Sequence, residues 1–207
     1  MARYTGAVCK LCRRERMKLF LKGPKCDTMK CPVERKPYPP GQHGRGRIRE
    51  SEYLLQLREK QKARRIYGLL ERPFKNLYEE ATQHTGITGE VLLQMLELRL
   101  DNVVFRANFA ASRNQARQLV RHGHVTVNGQ RVTIPSQRLR KDDVVEIHEK
   151  SRKMIVLRHN LDTLDRAVPA WLDVSGGDFK ATVRDLPLRE QIDVPVREAL
   201  IVELYSK

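Results

Sequence analysis

The chain has 207 residues, 40% hydrophobic and only 6% aromatic, with 40 Lys and Arg against 25 Asp and Glu and a net charge of +15. That length builds one or two packed domains, and the charge requires a polyanionic partner, either nucleic acid or an anionic membrane surface. No stretch approaches the ~18 to 20 uninterrupted apolar residues of a membrane span, and no apolar run follows the first basic residues as in a secretory signal, so a cytoplasmic protein is expected. The charge is uneven: residues 1–50 hold 14 Lys and Arg against four Asp and Glu, whereas residues 151–207 hold nine of each.

All four cysteines lie in the first 31 residues, as Cys9-x2-Cys12 and Cys26-x4-Cys31. In a reducing compartment such a cluster reads as a metal site rather than two disulfides, and two pairs with short internal gaps suit the four-thiolate set of structural zinc. The expected cofactor is one structural Zn2+ on Cys9, Cys12, Cys26 and Cys31; an iron–sulfur cluster takes the same ligands, and the spacing leaves it open. No His or carboxylate stands in for a fourth ligand, so the site reads as closed and non-catalytic. Between the pairs, Arg13, Arg14, Arg16, Lys18, Lys22 and Lys25 face a single acid, Glu15. A metal there would fold a segment with too few apolar residues to fold alone.

Lys36 to Arg47, rich in Pro, Gly and Arg, reads as an extended linker whose glycines bring the backbone close to phosphates. A helix from Ser51 to Gly68 follows, with Tyr53 assigned to packing and a cationic second half of Arg58, Lys60, Lys62, Arg64 and Arg65. Pro73 opens a helical pattern of Phe74, Leu77, Tyr78 and Ala81 that Gly86 ends, and Thr88 caps a helix from Glu90 to Leu100. Ser112-x-x-Gln115 has the form of a capping box, and Gly123 fits the C′ position, so a helix spans Arg113 to His122. Its buried stripe is Ala116, Leu119 and Val120, leaving Arg113, Arg117 and Arg121 as an exposed basic ridge. A hairpin turns at Asn128-Gly129, and Asp143 to Ile147 is a further strand. Residues 153–167 read as helix, 171–174 and 179–184 as a second hairpin, and Val196 to Tyr205 as an amphipathic helix. The fold class is α+β.

RNA contact is expected from Arg3, Arg13, Arg14 and Lys22 in the cysteine segment and from Arg35, Lys36, Arg45, Arg47 and Arg49 in and around the linker. Arg58, Lys62, Arg65 and Tyr67 would add to it from the basic helix, and Arg113, Arg117, Arg121, His122 and His124 from the later ridge. The planar fork of arginine suits phosphates, and interleaved tyrosines such as Tyr4, Tyr38 and Tyr67 stack on splayed bases. No GxGxxG, P-loop or HxE with CxxC is present, so neither an enzyme nor a small-molecule substrate is expected. The basic segments lack the large apolar opposite face that a membrane-surface protein needs.

Arg99-Leu100-Asp101-Asn102-Val103-Val104, followed by Ser112-Arg113-x-x-Ala116-Arg117-x-Leu119-Val120-x-x-Gly123-His124-Val125-x-Val127-Asn128-Gly129, resembles the S-four RNA-binding module. With the cysteine segment, Tyr38-Pro39-Pro40-Gly41-Gln42-His43-Gly44 and the basic helix through Ile66-Tyr67-Gly68, the whole chain resembles the bacterial S-four ribosomal protein family. The resemblance implies a four-cysteine knuckle and linker over 1–47 and a small helical domain over 48–98, completed by 177–207. The S-four module and the helix and hairpin after it, residues 99–176, would be inserted into that domain. It further implies a ribosome-bound protein that binds small-subunit (16S) ribosomal RNA early in assembly and organises a multi-helix junction. Neighbouring ribosomal proteins, an influence on translational accuracy and, in some bacteria, binding to its own messenger RNA belong to the same implication. Members without the cysteines exist, so within the family the metal is optional.

Overall fold

A computed structural model describes residues 3–46 and 49–206. In chain order the helices are α1 (Val8–Glu15), α2 (Pro32–Arg35), α3 (Glu52–Ile66), α4 (Glu71–Ala81), α5 (Thr88–Glu97), α6 (Leu100–Arg106), α7 (Arg113–Arg121), α8 (Ile155–Thr163) and α9 (Glu198–Tyr205). The strands are β1 (Val125–Val127), β2 (Gln130–Arg131), β3 (Val144–Ile147), β4 (Leu172–Ser175) and β5 (Lys180–Val183). Two compact units result, one from the chain up to Leu92 together with the segment from Val194 onward, the other from Leu93–Asp193. Among the described residues no helix is long and apolar enough to cross a membrane.

In the first unit, Ser51 caps α3 by accepting from the Leu54 N–H at 3.2 Å. The face that α3 buries is mixed, with Gln56, Lys60, Ala63 and Ile66, and it packs against α9. A buried ammonium needs a partner; Lys60 finds Glu71 at 2.6 Å, which also accepts from Arg64 at 3.1 Å and from the Tyr205 hydroxyl at 3.0 Å. The Tyr205 ring stacks on Tyr78 with centroids 4.6 Å apart, so α3, α4 and α9 join around one carboxylate. Tyr53 is not part of this core: it lies 59% exposed at the solvent side of the first turn. α4 begins two residues before Pro73, which is harmless because the first turn has no use for that N–H.

The expected extended linker is instead a packed turn. The Gly44 N–H donates to Gly41 O at 3.3 Å and the Gly46 N–H to His43 O at 3.0 Å. A Cβ on the buried Gly44 would collide with the Pro39 carbonyl oxygen, so only glycine closes the turn.

The second unit carries an antiparallel sheet of order β2-β1-β3-β5-β4. Asn128 and Gly129 take φ of 50° and 80°, the two positive values that a tight right-twisted hairpin needs. Helices and sheet enclose one apolar core that includes Leu100, Val103, Phe109, Val120, Ile147 and Trp171. α5 stops at Glu97 rather than Leu100 because the backbone turns extended: Leu98 O accepts from the Leu139 N–H at 2.9 Å and the Leu100 N–H donates to Gln137 O at 2.8 Å. β5 lies between β3 and β4, which keeps residues 180–183 in this unit. The return to the first unit therefore comes at Val194, later than the residue 177 expected.

Candidate nucleic-acid interface and thiol cluster

Cys9 and Cys12 lie three residues apart on α1 and so share a face. Cys26 ends a 3-10 turn, and Cys31 occupies the N-cap of α2. The four thiols form no disulfide and line one small cavity with Val8, Leu21, Pro32 and Val33. Backbone groups reach two of the sulfurs: the Lys22 N–H donates to Cys26 Sγ at 3.4 Å, and the Leu19 backbone hydrogen-bonds Cys12. Burial pushes the Cys12 and Cys26 thiols above their ordinary pKa, against the pull of those bonds. Among the described residues no group of three or more His, Cys, Asp or Glu side chains stands close enough to hold a metal ion. The thiols thus share a cavity without reaching ligand spacing.

The basic surface around them is partly organised. The Arg13 and Arg45 guanidiniums lie 5.0 and 4.7 Å from the Tyr38 ring centroid, a cation–π arrangement that orients both forks. Arg13 Nε also donates to Lys36 O and Tyr38 O at 3.1 and 3.0 Å, and Arg45 to the Tyr38 hydroxyl at 3.4 Å. That last bond holds the phenol below its ordinary pKa. Arg3, Arg14, Lys22, Arg35, Lys36, Arg45 and Arg49 are exposed; Arg47 lies outside the described residues.

Helix α3 departs from expectation. Glu15, whose side chain is only 1% exposed, takes Arg58 at 3.3 Å and also pairs with Arg65. Lys62 is held by Glu59 at 2.6 Å and donates to Pro195 O at 3.0 Å. A carboxylate buried in α1 requires cations, and α3 supplies them, so these three side chains are largely committed inside the protein. Tyr67 is 3% exposed and is a core residue, not a stacking platform.

In the second unit the expected ridge is dismantled. Arg117 is buried and meets Asp101 at 3.0 Å, while Arg99 holds the same carboxylate through two bonds of 3.1 and 3.0 Å. Arg113 Nε donates to Asn102 Oδ1 at 2.8 Å, and its guanidinium lies 4.4 Å from the Phe105 centroid. Glu97, fully buried, receives both arms of Arg106 at 2.9 Å and Asn102 Nδ2 at 2.7 Å. Arg99, Asp101 and Asn102 therefore form an internal scaffold. The signal for it was present in Leu96-Glu97-Leu98-Arg99-Leu100-Asp101-Asn102-Val103, where charges inside an apolar run must pair with one another.

Of the ridge, Arg121 remains exposed, beside exposed His122. Sequence reasoning passed over Arg131, which donates to Gly123 O at 2.9 Å and His122 O at 3.1 Å and so joins the same patch. His124 Nδ1 lies 2.9 Å from Ser151 Oγ. Burial, then the His122 and Arg131 charges, hold its pKa below the ordinary value, so at neutral pH it offers hydrogen bonds rather than charge.

Residues 3–97 match the family described as ribosomal protein S4/S9 N-terminal domain, and residues 98–145 match the S4 domain. The chain is 62% identical to the small ribosomal subunit protein uS4 of Acidothermus cellulolyticus, 60% to that of Frankia casuarinae and 59% to that of an Anaeromyxobacter species, each match covering the whole of both chains.

Proposed function

Because the chain belongs to the uS4 family of small ribosomal subunit proteins, we propose that it is a structural, non-catalytic constituent of the small subunit, ribosome-bound through 16S ribosomal RNA. The observation that carries this reading is the full-length identity to uS4 proteins. Exposed cations at Arg3, Arg14, Arg35, Lys36, Arg45, Arg49 and Arg121 support it. Affinity would come from counterion release at the phosphates these residues neutralise, and selectivity from the shape of a multi-helix junction. Each unit presents its own basic patch, so one chain fixes several RNA helices. Neighbouring ribosomal proteins would cover part of the remaining surface, and through them the protein would influence translational accuracy. A messenger segment that folds to the junction's shape would compete for the same patches.

Cys9, Cys12, Cys26 and Cys31 would hold one structural Zn2+. Supporting this are the shared cavity, the two backbone hydrogen bonds to sulfur that favour thiolate, and the surplus of nearby cations. Bound there, the ion would staple α1 and α2 together and keep Arg13 against Tyr38.

The test is binding to small-subunit RNA as a function of salt. A steep negative log–log slope for one RNA domain is expected, and a flat slope or equal affinity for any RNA would overturn the reading. Elemental analysis finding about one zinc per chain, with no visible absorbance, supports zinc; iron with charge-transfer bands would replace it.

A further inference from the structure

Phe20 has no part in the function above, yet its backbone and its ring are both unusual. Its φ is +51°, a region bulky L residues rarely adopt, and its ring is 49% exposed. The residues beside it are anchored: Leu19 is 3% exposed and hydrogen-bonds Cys12, Leu21 lines the thiol cavity, and the Lys22 N–H reaches Cys26 Sγ. The bend at Phe20 lets the backbone on both sides serve the two sulfurs. Glycine or asparagine would make that bend with less strain. A strained phenylalanine with an exposed ring gives the isolated chain nothing that those residues would not. Both features are accounted for if the ring meets something outside the chain, and a ring on so constrained a backbone loses little freedom in doing so.

The surroundings select the occupant. Arg14, Lys22 and Lys25 are exposed close by in sequence. The one acid between the cysteine pairs, Glu15, is already buried against Arg58 and Arg65. An apolar protein partner would have to bury uncompensated cations, whereas a nucleic acid brings phosphates for them and bases for the ring.

We propose that Phe20 is a stacking platform for an unpaired nucleobase of small-subunit RNA, a base contact set within a phosphate-directed surface. The proposal rests on the ribosomal RNA reading, and its test separates the two. Full-length wild-type chain, Phe20→Tyr, Phe20→Leu and Phe20→Asn are titrated with small-subunit RNA across a salt series, and thermal unfolding is recorded for each. Phe20→Tyr should bind within about twofold of wild type. Phe20→Leu and Phe20→Asn should lose between about 5-fold and about 150-fold, the range that stacking on one base supplies, with an unchanged salt slope because no charge is removed. Phe20→Asn relieves the strain and should unfold no earlier than wild type, which separates stacking from a structural role. Ultraviolet irradiation of the wild-type complex should crosslink the Phe20 peptide to a nucleotide.

Wild-type affinity in Phe20→Asn, with a steep slope retained, overturns the platform and leaves the RNA reading intact. Unchanged RNA affinity in Phe20→Asn with loss of incorporation into subunits assigns the ring to a protein neighbour and also overturns it. A flat wild-type slope overturns both readings.

Discussion

Arg117 and Arg121 stand four residues apart on one helix, and the structure gives them opposite roles. Arg121 is exposed, while the Arg117 side chain is 8% exposed and 3.0 Å from Asp101. Replacing each by methionine removes one charge and keeps the aliphatic stem. In Arg117→Met, Asp101 loses one charge-assisted bond but keeps two from Arg99. The cost is therefore about 1.5–3 kcal/mol for a hydrogen bond to a charged group, not the ~3–5 kcal/mol of an orphaned buried charge. For a unit of this size that lowers the midpoint of its thermal transition by about 7 to 14 °C. Since the buried Arg117 is turned toward Asp101 and neutralises no phosphate, the salt slope of RNA binding, measured well below that transition, should not change. Arg121→Met should do the reverse, leaving the transition in place and reducing the slope by about 0.7–0.9 for one lost phosphate contact. Thermal unfolding and a salt-series titration on the two variants decide the matter. If Arg117→Met flattened the slope as much as Arg121→Met and unfolded with wild type, the internal assignment of Arg117 would be wrong.

Cys9→Ser or Cys31→Ser should loosen residues 8–35 to hydrogen exchange and weaken RNA binding while the second unit keeps its protection; unchanged binding would uncouple the thiol cluster from RNA. Gly44→Ala places a methyl against the Pro39 carbonyl and should open the turn that carries Arg45, lowering RNA affinity with little change in the second unit's stability. Low pH should weaken the bonds made to Glu71 in the first unit and to Asp193 in the second. The cost of partial desolvation is outweighed by bonds from Lys60 and Tyr205 to Glu71, and from Arg106 to the exposed Asp193, which hold both carboxyls below their ordinary pKa. The native state then binds fewer protons than the unfolded chain, so this stabilisation is present above the ordinary carboxylate values near ~4 and fades as pH falls through the lower native ones. Urea midpoints for the first unit should drop between about pH 5 and about pH 3, and less so in Glu71→Gln; an identical drop in that variant would remove Glu71 from the account.

Local signals were read correctly where short-range chemistry decides. Ser51 and Ser112 cap their helices through a backbone N–H three residues on, Asn128-Gly129 turns its hairpin, and residues 171–184 form the second one. The errors cluster where a partner is distant. Glu15 reaches Arg65 across 50 positions, and Gln56 reaches Glu203 across 147. Nothing in the local pattern announces such pairs, and Tyr53 and Tyr67 exchanged their expected environments for the same reason. The linker failed differently: its Pro and Gly content marks a departure from helix and strand but does not say whether the turn is packed.

The sequence by itself determined the family, the α+β class, the positions of most elements and the surplus of positive charge, because these rest on motif spacing, periodicity and composition. Tertiary structure alone decided which cations are free to meet RNA. A buried carboxylate must be neutralised by whatever cation the fold brings to it, so Glu15, Glu97 and Asp101 withdraw Arg58, Arg65, Arg106 and Arg117 from the surface. Arg14, Arg45 and Arg121 are left exposed to the solvent.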